Sequence, residues 1–228
     1  MMNNRFFYSI AGGIFLLAFL SCATDTRKTP YDFSQATLIG MVYDRENKPC
    51  AGASVFIDDI EKASTDINGR FAVFALPRGS HVIRVKKQGC EEAEVTFEFL
   101  NRSQVVYLRV YSFHQLLDEA ETAIAERSWV EAENLIGRAN SVRRDDPVGL
   151  YLEAVLYKEQ KKFHEAVEKL ERIIDLGCYE PYVYLALADI HQYGLDDPET
   201  AARYLEEFLV LKEDGDVRDR LAELRGTR

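Results

Sequence analysis

The side chains most often used in catalysis and metal binding are scattered in this sequence. The four histidines are His81, His114, His164 and His191. They form no His-Glu-x-x-His pattern, and none has a cysteine nearby at the spacing of zinc ligands. No phosphate-binding glycine loop or nucleophile elbow occurs either. We therefore predict no catalytic residue, no metal ligand, no cofactor and no small-molecule substrate.

One short segment has a partial metal-binding pattern. Asp66, Asn68 and Gly69 resemble the start of a calcium loop, but the later bidentate glutamate of such loops is missing. The same residues are typical of a hairpin turn, because asparagine and glycine accept the positive φ that tight turns demand. We interpret the segment as a turn.

Cys22 is the residue with the clearest chemistry. Arg5 begins a leader whose residues 6–20 are mostly apolar, a run too short for a comfortable membrane span. Residues 19–22, Phe-Leu-Ser-Cys, resemble a bacterial lipobox with phenylalanine in place of the usual leucine. The resemblance implies that residues 1–21 are a lipoprotein signal peptide and that Cys22 is acylated after cleavage. Cleavage after Ala23 is the alternative, since Ser21 and Ala23 also form a small-x-small site.

The residues after Cys22 predict a tether and an oxidising environment. Residues 22–35 are short and polar, and they read as a linker between the anchor and the first folded unit. An exported chain can oxidise its thiols, so a disulfide between Cys50 and Cys90 is one pairing that the sequence permits. Cys178 is then left over, and we expect it to be buried.

From Thr37 onward, apolar and polar residues alternate with a period of two. Val95, Phe97 and Phe99 are separated by polar residues, for example, which indicates strands with one buried face. Strands are predicted near 37–43, 53–58, 69–75, 80–86, 93–99 and 104–111, with turn residues between them. The pattern favours a small antiparallel β-sandwich.

Several turn signatures of this region occur in a recognisable order. They are Gly40-Met41-Val42-Tyr43-Asp44, Pro49, Gly52-Ala53-Ser54-Val55, Thr65-Asp66-Ile67-Asn68-Gly69-Arg70-Phe71, Leu76-Pro77-Arg78-Gly79-Ser80-His81 and Gly89. Residues 36–111 resemble the carboxypeptidase regulatory-like domain, which implies a transthyretin-like β-sandwich without an activity of its own.

The second half of the chain contains an internal repeat. Ala120, Ala154 and Ala188 are 34 residues apart, and Pro147 and Pro181 repeat that step. Each period contains two amphipathic helices joined by a tight turn, with alanine where the helices cross. The length and spacing resemble the tetratricopeptide repeat; an unrelated helical bundle is the alternative. The third copy has one extra residue, which we place between Gly194 and Pro198.

The tetratricopeptide resemblance implies a binding groove lined by the first helix of each pair. Carried over by position, the groove residues are Val148, Tyr151, Val155, Lys158, Tyr182, Leu185, Asp189 and Gln192. A peptide or a partner helix is the expected ligand. The alternative is that Tyr151 and Tyr182 only pack against neighbouring helices, and His191 is interpreted as a half-buried structural ring.

Together these patterns predict a multidomain fold that is all-β and then all-α. The sandwich at 36–111 is followed at 112–228 by a short α-solenoid of about three helix-turn-helix repeats with a capping helix. Almost no linker separates the two, so we expect them to unfold together. Phe113 and Leu117 are expected to close the solenoid against the sandwich, and Asp216 to begin the capping helix.

Charge is distributed unevenly between the two parts. Residues 36–111 hold 10 Lys/Arg and 10 Asp/Glu, whereas residues 112–228 hold 15 against 26, a net charge of −11. An acidic solenoid repels a phosphate backbone, which argues against nucleic-acid binding. The alternative meaning of this charge is a well-solvated helix surface.

The sequence therefore predicts a non-enzymatic lipoprotein scaffold, anchored to a membrane of the bacterial cell envelope on its periplasmic or surface face. Its expected partner is an envelope protein or peptide. Two alternatives remain: a glycan-binding envelope module, and an accessory subunit of an envelope transporter or outer-membrane assembly complex. We expect no exposed aromatic cluster on the strands, which weighs against the glycan alternative.

Overall fold

The computed structural model describes residues 34–226. The predicted signal peptide, the predicted lipidation site Cys22 and the predicted tether up to residue 33 lie outside the described residues. Within residues 34–226, no helix combines the length and the apolar character that a membrane span requires.

The first part of the described chain is a sandwich of two β-sheets. Its strands are β1 (Gln35–Tyr43), β2 (Ser54–Ile57), β3 (Ile60–Ser64), β4 (Arg70–Pro77), β5 (Gly79–Lys86), β6 (Ala93–Phe99) and β7 (Val105–Arg109). One sheet has the order β4-β1-β7 and the other has the order β3-β2-β5-β6. The inward side chains of both sheets form one apolar cluster, in which Leu38, Val42, Val55, Ile83 and Val85 are fully buried.

Two features of the sandwich were not predicted. The strand β3 pairs with β2 in a hairpin, but four of its five residues are exposed, so its sequence shows no buried face. The strand β7 runs parallel to β1, whereas the other paired strands are antiparallel. The parallel pairing arises because the chain crosses from the outer strand β6 of one sheet to the free side of β1 in the other sheet.

The second part is a stack of antiparallel helix pairs. Its helices are α1 (Phe113–Ala125), α2 (Trp129–Val142), α3 (Pro147–Glu159), α4 (Phe163–Asp175), α5 (Pro181–Asp189), α6 (Pro198–Leu211) and α7 (Gly215–Leu224). The repeated alanines Ala120, Ala154 and Ala188 are at most 2% exposed, as expected for residues at helix crossings. The capping helix α7 begins after Asp214, whose carboxylate accepts hydrogen bonds from two backbone N–H groups; the predicted start at Asp216 is one residue late.

The extra residue of the third repeat lies inside a helix. After α5 the chain continues through a π-helical turn, Ile190–Gly194, which takes up one residue more than α-helical winding. The loop to α6 then has three residues, as does the loop between α3 and α4. Our placement between Gly194 and Pro198 was therefore about one turn late. Gly194 is needed there because a Cβ would lie 2.7 Å from the ring of Phe163.

The sandwich and the solenoid are joined by backbone hydrogen bonds rather than by a linker. The amide of Glu91 donates to the carbonyl of Tyr111 over 2.9 Å, and the amide of Phe113 donates to Gly89 over 3.0 Å. Ser112, which forms a bridge with Cys90, also caps α1 through a reciprocal pair of hydrogen bonds with Gln115. The strand-like pairing thus fixes the direction in which α1 leaves the sandwich.

Polar side chains complete this junction. The guanidinium of Arg138 donates to both carboxylate oxygens of Glu91, over 2.9 and 2.5 Å, and lies over the ring of Tyr111. Gln115 donates to Asp44 over 3.3 Å. We had expected Phe113 and Leu117 to face the sandwich. Instead, both are buried in the apolar cluster of α1, α2 and α3. The contact between the two parts is instead largely polar.

The three cysteines of the described chain are free thiols. Cys50 is 3% exposed in the apolar cluster of the sandwich, and Cys90 is partly buried against that cluster. Burial raises the pKa of the Cys90 thiol, and the nearby Cys50 raises it further. The Cys50–Cys90 disulfide that the sequence permits is therefore not formed in the structure. Cys178 packs, partly buried, against the cluster of α3, α4 and α5.

Candidate functional site

A cleft between α3 and α5 contains most of the predicted groove residues. It encloses about 520 Å³, including the solvent at its open side. Six of the eight predicted residues line it: Tyr151, Val155, Lys158, Tyr182, Leu185 and Asp189. Its lining also includes Ala154, Leu170, Ala186 and Ile190, which were not predicted as site residues because they follow the pattern of core positions.

The two tyrosines of the cleft remain accessible. Tyr151 is 39% exposed and Tyr182 is 57% exposed. Tyr182 also has two contacts at α6. Its ring packs edge-on against Phe208, and its hydroxyl accepts a hydrogen bond of 2.6 Å from the ammonium group of Lys212. Tyr182 therefore packs against a neighbouring helix, as the alternative interpretation held, and still has more than half of its surface free.

The capping helix engages the acidic residue of the cleft. Arg220 of α7 donates to the carboxylate of Asp189 over 2.7 Å and to the side-chain oxygen of Gln192 over 2.8 and 2.6 Å. Its guanidinium also lies 5.2 Å from the ring centroid of Tyr193. Asp189 and Gln192, which we predicted would orient a ligand, are thus already engaged. Sequence reasoning missed Arg220 because it lies about 30 residues further along the chain, in a segment treated only as a cap.

The remaining predicted residues differ in their placement. Lys158 is exposed at the cleft and forms no ion pair with any residue in the described range 34–226. Val148 is 58% exposed on the first turn of α3 and, like Gln192, does not line the cleft. Among the residues that the structure describes, the cleft therefore offers the positive charge of Lys158, while its acidic group is neutralised by Arg220.

His191 is largely buried, and its purely structural role stays a prediction. It lies in the π-helical turn with 13% of its side chain exposed, and its ring centroid is 5.5 Å from that of Tyr204. Asp197 is its nearest carboxylate, at 3.4 Å from Nδ1. Tyr204 in turn donates to Glu171 over 2.8 Å. Burial is the larger cause and the Glu171 carboxylate the smaller cause that raise the pKa of Tyr204.

No group of three or more His, Cys, Asp or Glu side chains within residues 34–226 is arranged to hold a metal ion. The segment from Asp66 to Gly69 is a turn, as predicted. The carboxylate of Asp66 accepts hydrogen bonds of 2.8 Å from the amides of Asn68 and Arg70, and Gly69 has a φ of +72°.

His81 forms the most organised polar contact of the sandwich. Its Nδ1 lies 2.7 Å from the carboxylate of Asp58, and its Nε2 lies 2.9 Å from the carbonyl of Pro77. Two acceptors favour the doubly protonated imidazolium. Burial alone would lower the pKa of His81, but the hydrogen bonds to Asp58 and Pro77 together raise it. Two hydrogen bonds lower the pKa of Asp58: the one from His81 has the larger effect, and the one from the amide of Val82 has the smaller effect.

These shifts predict a pH dependence of stability. Because the pKa of His81 is raised on folding, its contribution is complete below about pH 6.5, the usual histidine value, and is lost as the pH rises through the folded pKa. The contribution of Asp58 is lost only on acidification. We expect the free energy of unfolding to fall as the pH rises from 6 to 9, and to fall less in a His81→Gln variant, as measured by urea denaturation. If the free energy of unfolding falls equally with pH in both proteins, this prediction is contradicted. The control is His164→Gln, at an exposed histidine of α4.

Two aromatic side chains on the sandwich surface were not foreseen as exposed. Phe74 is 78% exposed and Tyr107 is 67% exposed, both on the outer face of the β4-β1-β7 sheet. Sequence reasoning missed them because the inward and outward faces of a strand with apolar residues on both sides cannot be separated by period alone.

The sandwich and the helical part both resemble known proteins. Residues 37–110 match the carboxypeptidase regulatory-like domain family, which confirms the resemblance inferred from the turn signatures. No curated protein matches the chain. The helical part is a tetratricopeptide-like solenoid of 34-residue helix pairs, as predicted, and solved tetratricopeptide domains are similar to it.

Three solved structures illustrate this similarity. The N-terminal domain of stress-induced protein-1 from C. elegans has a TM-score of 0.46 and 18% identity, over 50% of this chain and 94% of that one. The Arabidopsis OM64 TPR domain has a TM-score of 0.45 and 16% identity, over 51% and 96%. The Sgt2 TPR domain from Aspergillus fumigatus has a TM-score of 0.43 and 20% identity, over 49% and 74%.

Proposed function

We propose that this protein is a non-enzymatic scaffold that binds a segment of a partner protein in the cleft between α3 and α5. We also propose that it is a lipoprotein of the bacterial cell envelope, anchored through Cys22. The observation that carries the binding proposal is the pair of accessible tyrosines, Tyr151 and Tyr182, on the two helices that form the cleft.

The composition of the cleft suits a short peptide segment. Its floor is apolar, since Ala154, Leu170 and Ile190 are buried there, and its side is open to an approaching segment. Tyrosine offers a large rigid contact area at a low cost in side-chain entropy, so it often dominates the energy of an interface. A ligand that places apolar side chains between the two rings would bury surface that is otherwise exposed.

The charges of the cleft favour one kind of ligand. Arg220 holds Asp189, so among the described residues that line the cleft the unpaired charge available to a ligand is that of Lys158 on α3. A carboxylate on the partner segment would pair with Lys158 at the solvent-exposed rim, where such a pair mainly affects orientation and association rate. The preferred segment is therefore apolar and carries an acidic residue.

The binding proposal predicts a clear effect of removing the two rings. Peptides selected from a random library on the wild-type protein are expected to bind a Tyr151→Ala/Tyr182→Ala variant at least about tenfold more weakly, because each ring truncated at an interface centre costs about 1–2 kcal/mol or more. Isothermal titration calorimetry measures the difference. The control is Tyr179→Ala, since Tyr179 is 60% exposed but outside the cleft. Unchanged affinity in the double variant would overturn the proposal.

The anchoring proposal makes a separate prediction at Cys22. Only a thiol can receive the lipid in lipoprotein maturation, so a Cys22→Ser variant is expected to accumulate as an uncleaved precursor that incorporates no labelled fatty acid. Metabolic labelling and gel mobility report both properties. Normal cleavage of the variant would instead favour the alternative site after Ala23 and reject the anchor.

A further inference from the structure

The outer face of the β4-β1-β7 sheet carries a continuous apolar surface. Strand alternation places Leu38, Val42 and Val73 in the core and the neighbouring residues outside. The outward apolar side chains, which we call the open sheet face, are those of Ile39, Met41, Ala72, Phe74, Val105 and Tyr107.

The strand register brings these side chains together. Ile39 lies directly opposite Ala72 on one side and Val105 on the other. Met41 in the next row lies opposite Tyr107. Within residues 34–226 no helix or loop covers the two aromatic residues of this face, because Phe74 and Tyr107 are 78% and 67% exposed. Contiguous exposed apolar surface of this kind marks an interaction site more often than isolated residues do.

The charges at this face are of one sign. Arg70 and Arg109 occupy outward positions beside Met41 and Tyr43, and no outward position of β1, β4 or β7 carries an aspartate or glutamate. The outer surface of the other sheet differs, since Arg84 there is paired with Glu94 and Asp59. The outward strand positions at this face therefore carry basic but no acidic side chains, which complements an anionic surface.

We propose that the open sheet face lies against the headgroup region of the membrane to which the protein is anchored. This inference rests on the proposed lipidation of Cys22. The 12 residues 22–33 that precede the described chain lead into β1, the central strand of this sheet, and span at most about 40 Å even when fully extended. An anchored sandwich is thus always close to lipid.

Interfacial chemistry explains the composition of the face. Phenylalanine, tyrosine and aliphatic side chains enter the boundary between headgroups and acyl chains, and arginine reaches lipid phosphates while its stem stays on apolar surface. The acidic helical part is repelled by anionic lipid, whereas the sandwich has equal numbers of acidic and basic residues. Membrane contact therefore falls to the sandwich and leaves the cleft of the solenoid for its partner.

Tryptophan quenching by brominated lipid tests this proposal, because Trp129 in α2 is the sole tryptophan of the chain. The mature acylated protein is purified from membranes and reconstituted into vesicles of phosphatidylcholine and phosphatidylglycerol, with and without bromine on the acyl chains. The probe variant is Phe74→Trp/Trp129→Phe. The matched control is Thr96→Trp/Trp129→Phe, since Thr96 is exposed on the opposite sheet.

Bromine is expected to reduce the fluorescence of the probe variant about twofold, because a docked face places its apolar side chains about 5–10 Å into the boundary region. The wild type and the Thr96 variant are expected to stay nearly constant. Unquenched probe fluorescence in acylated protein that floats with the vesicles overturns the docking proposal alone. Loss of the acyl group, read from the intact mass, overturns the anchor and the docking together. If the protein forms a detergent-stable dimer and the Tyr107→Ser substitution dissociates it, the face contacts a second copy of this chain. That result also overturns the proposal.

Discussion

A Gly40→Ala variant is expected to lose about 3 kcal/mol of unfolding free energy, near the upper end of the usual cost of overpacking a core. Gly40 lies opposite Phe71 in the pairing of β1 with β4, and the phenyl ring covers the glycine. A Cβ at position 40 would lie 2.1 Å from Cζ and 2.4 Å from Cε1 of that ring. Phe71 is 3% exposed, so the ring cannot turn away without displacing its neighbours.

Urea denaturation followed by circular dichroism measures this loss. Gly137→Ala is the matched control, because Gly137 lies in α2 with no atom within 4 Å of an added Cβ. That substitution is expected to stabilise the protein by up to about 1 kcal/mol through helix propensity. Adding Phe71→Leu to Gly40→Ala should recover part of the loss, since the smaller side chain makes room for the methyl group. Equal stability of Gly40→Ala and wild type would show that the ring does not pack on the glycine as described.

A Phe113→Ala variant is expected to lose about 3–5 kcal/mol, the usual cost of removing a buried phenylalanine. Phe113 is the first residue of α1 and is fully buried. Its ring lies beneath the guanidinium of Arg143, 4.7 Å away, and faces Gly149 of α3 closely. The variant leaves a cavity where the first three helices meet.

The same variant tests whether the sandwich and the solenoid unfold together. The backbone pairing at residues 89–91 and 111–113 and the Glu91–Arg138 contact couple them, so we expect one calorimetric transition that moves as a whole. Two transitions, of which only one moves in Phe113→Ala, would contradict this coupling. Val130→Ala, at a residue of α2 that is 82% exposed, is expected to change stability by less than about 0.5 kcal/mol.

The repeating features were predictable because they depend on local patterns. Alternation marks β6, and the 34-residue spacing of Ala120, Ala154 and Ala188 places the helix pairs. The period also brought six of the eight groove residues to one cleft, because positions of equal phase on stacked helices face the same side.

The features that were missed depend on contacts between distant residues. Nothing local to Arg220 indicates that it reaches Asp189 and Gln192, and nothing in β7 alone indicates that it runs parallel to β1. The extra residue of the third repeat was placed too late because the repeat spacing alone does not show that a helix takes it up in a π-helical turn. The exposed Phe74 was missed because apolar residues lie on both sides of β4.

The central claim is that the cleft between α3 and α5 binds a protein segment. Site-specific photocrosslinking tests it most directly, with p-benzoylphenylalanine replacing Tyr182 in the full chain in its native cells. We predict a crosslinked partner protein that disappears when Tyr151→Ala is added and is absent when the probe replaces Tyr179 outside the cleft. Identical crosslinks from positions 179 and 182, or a crosslink at 182 that Tyr151→Ala leaves unchanged, would contradict the claim.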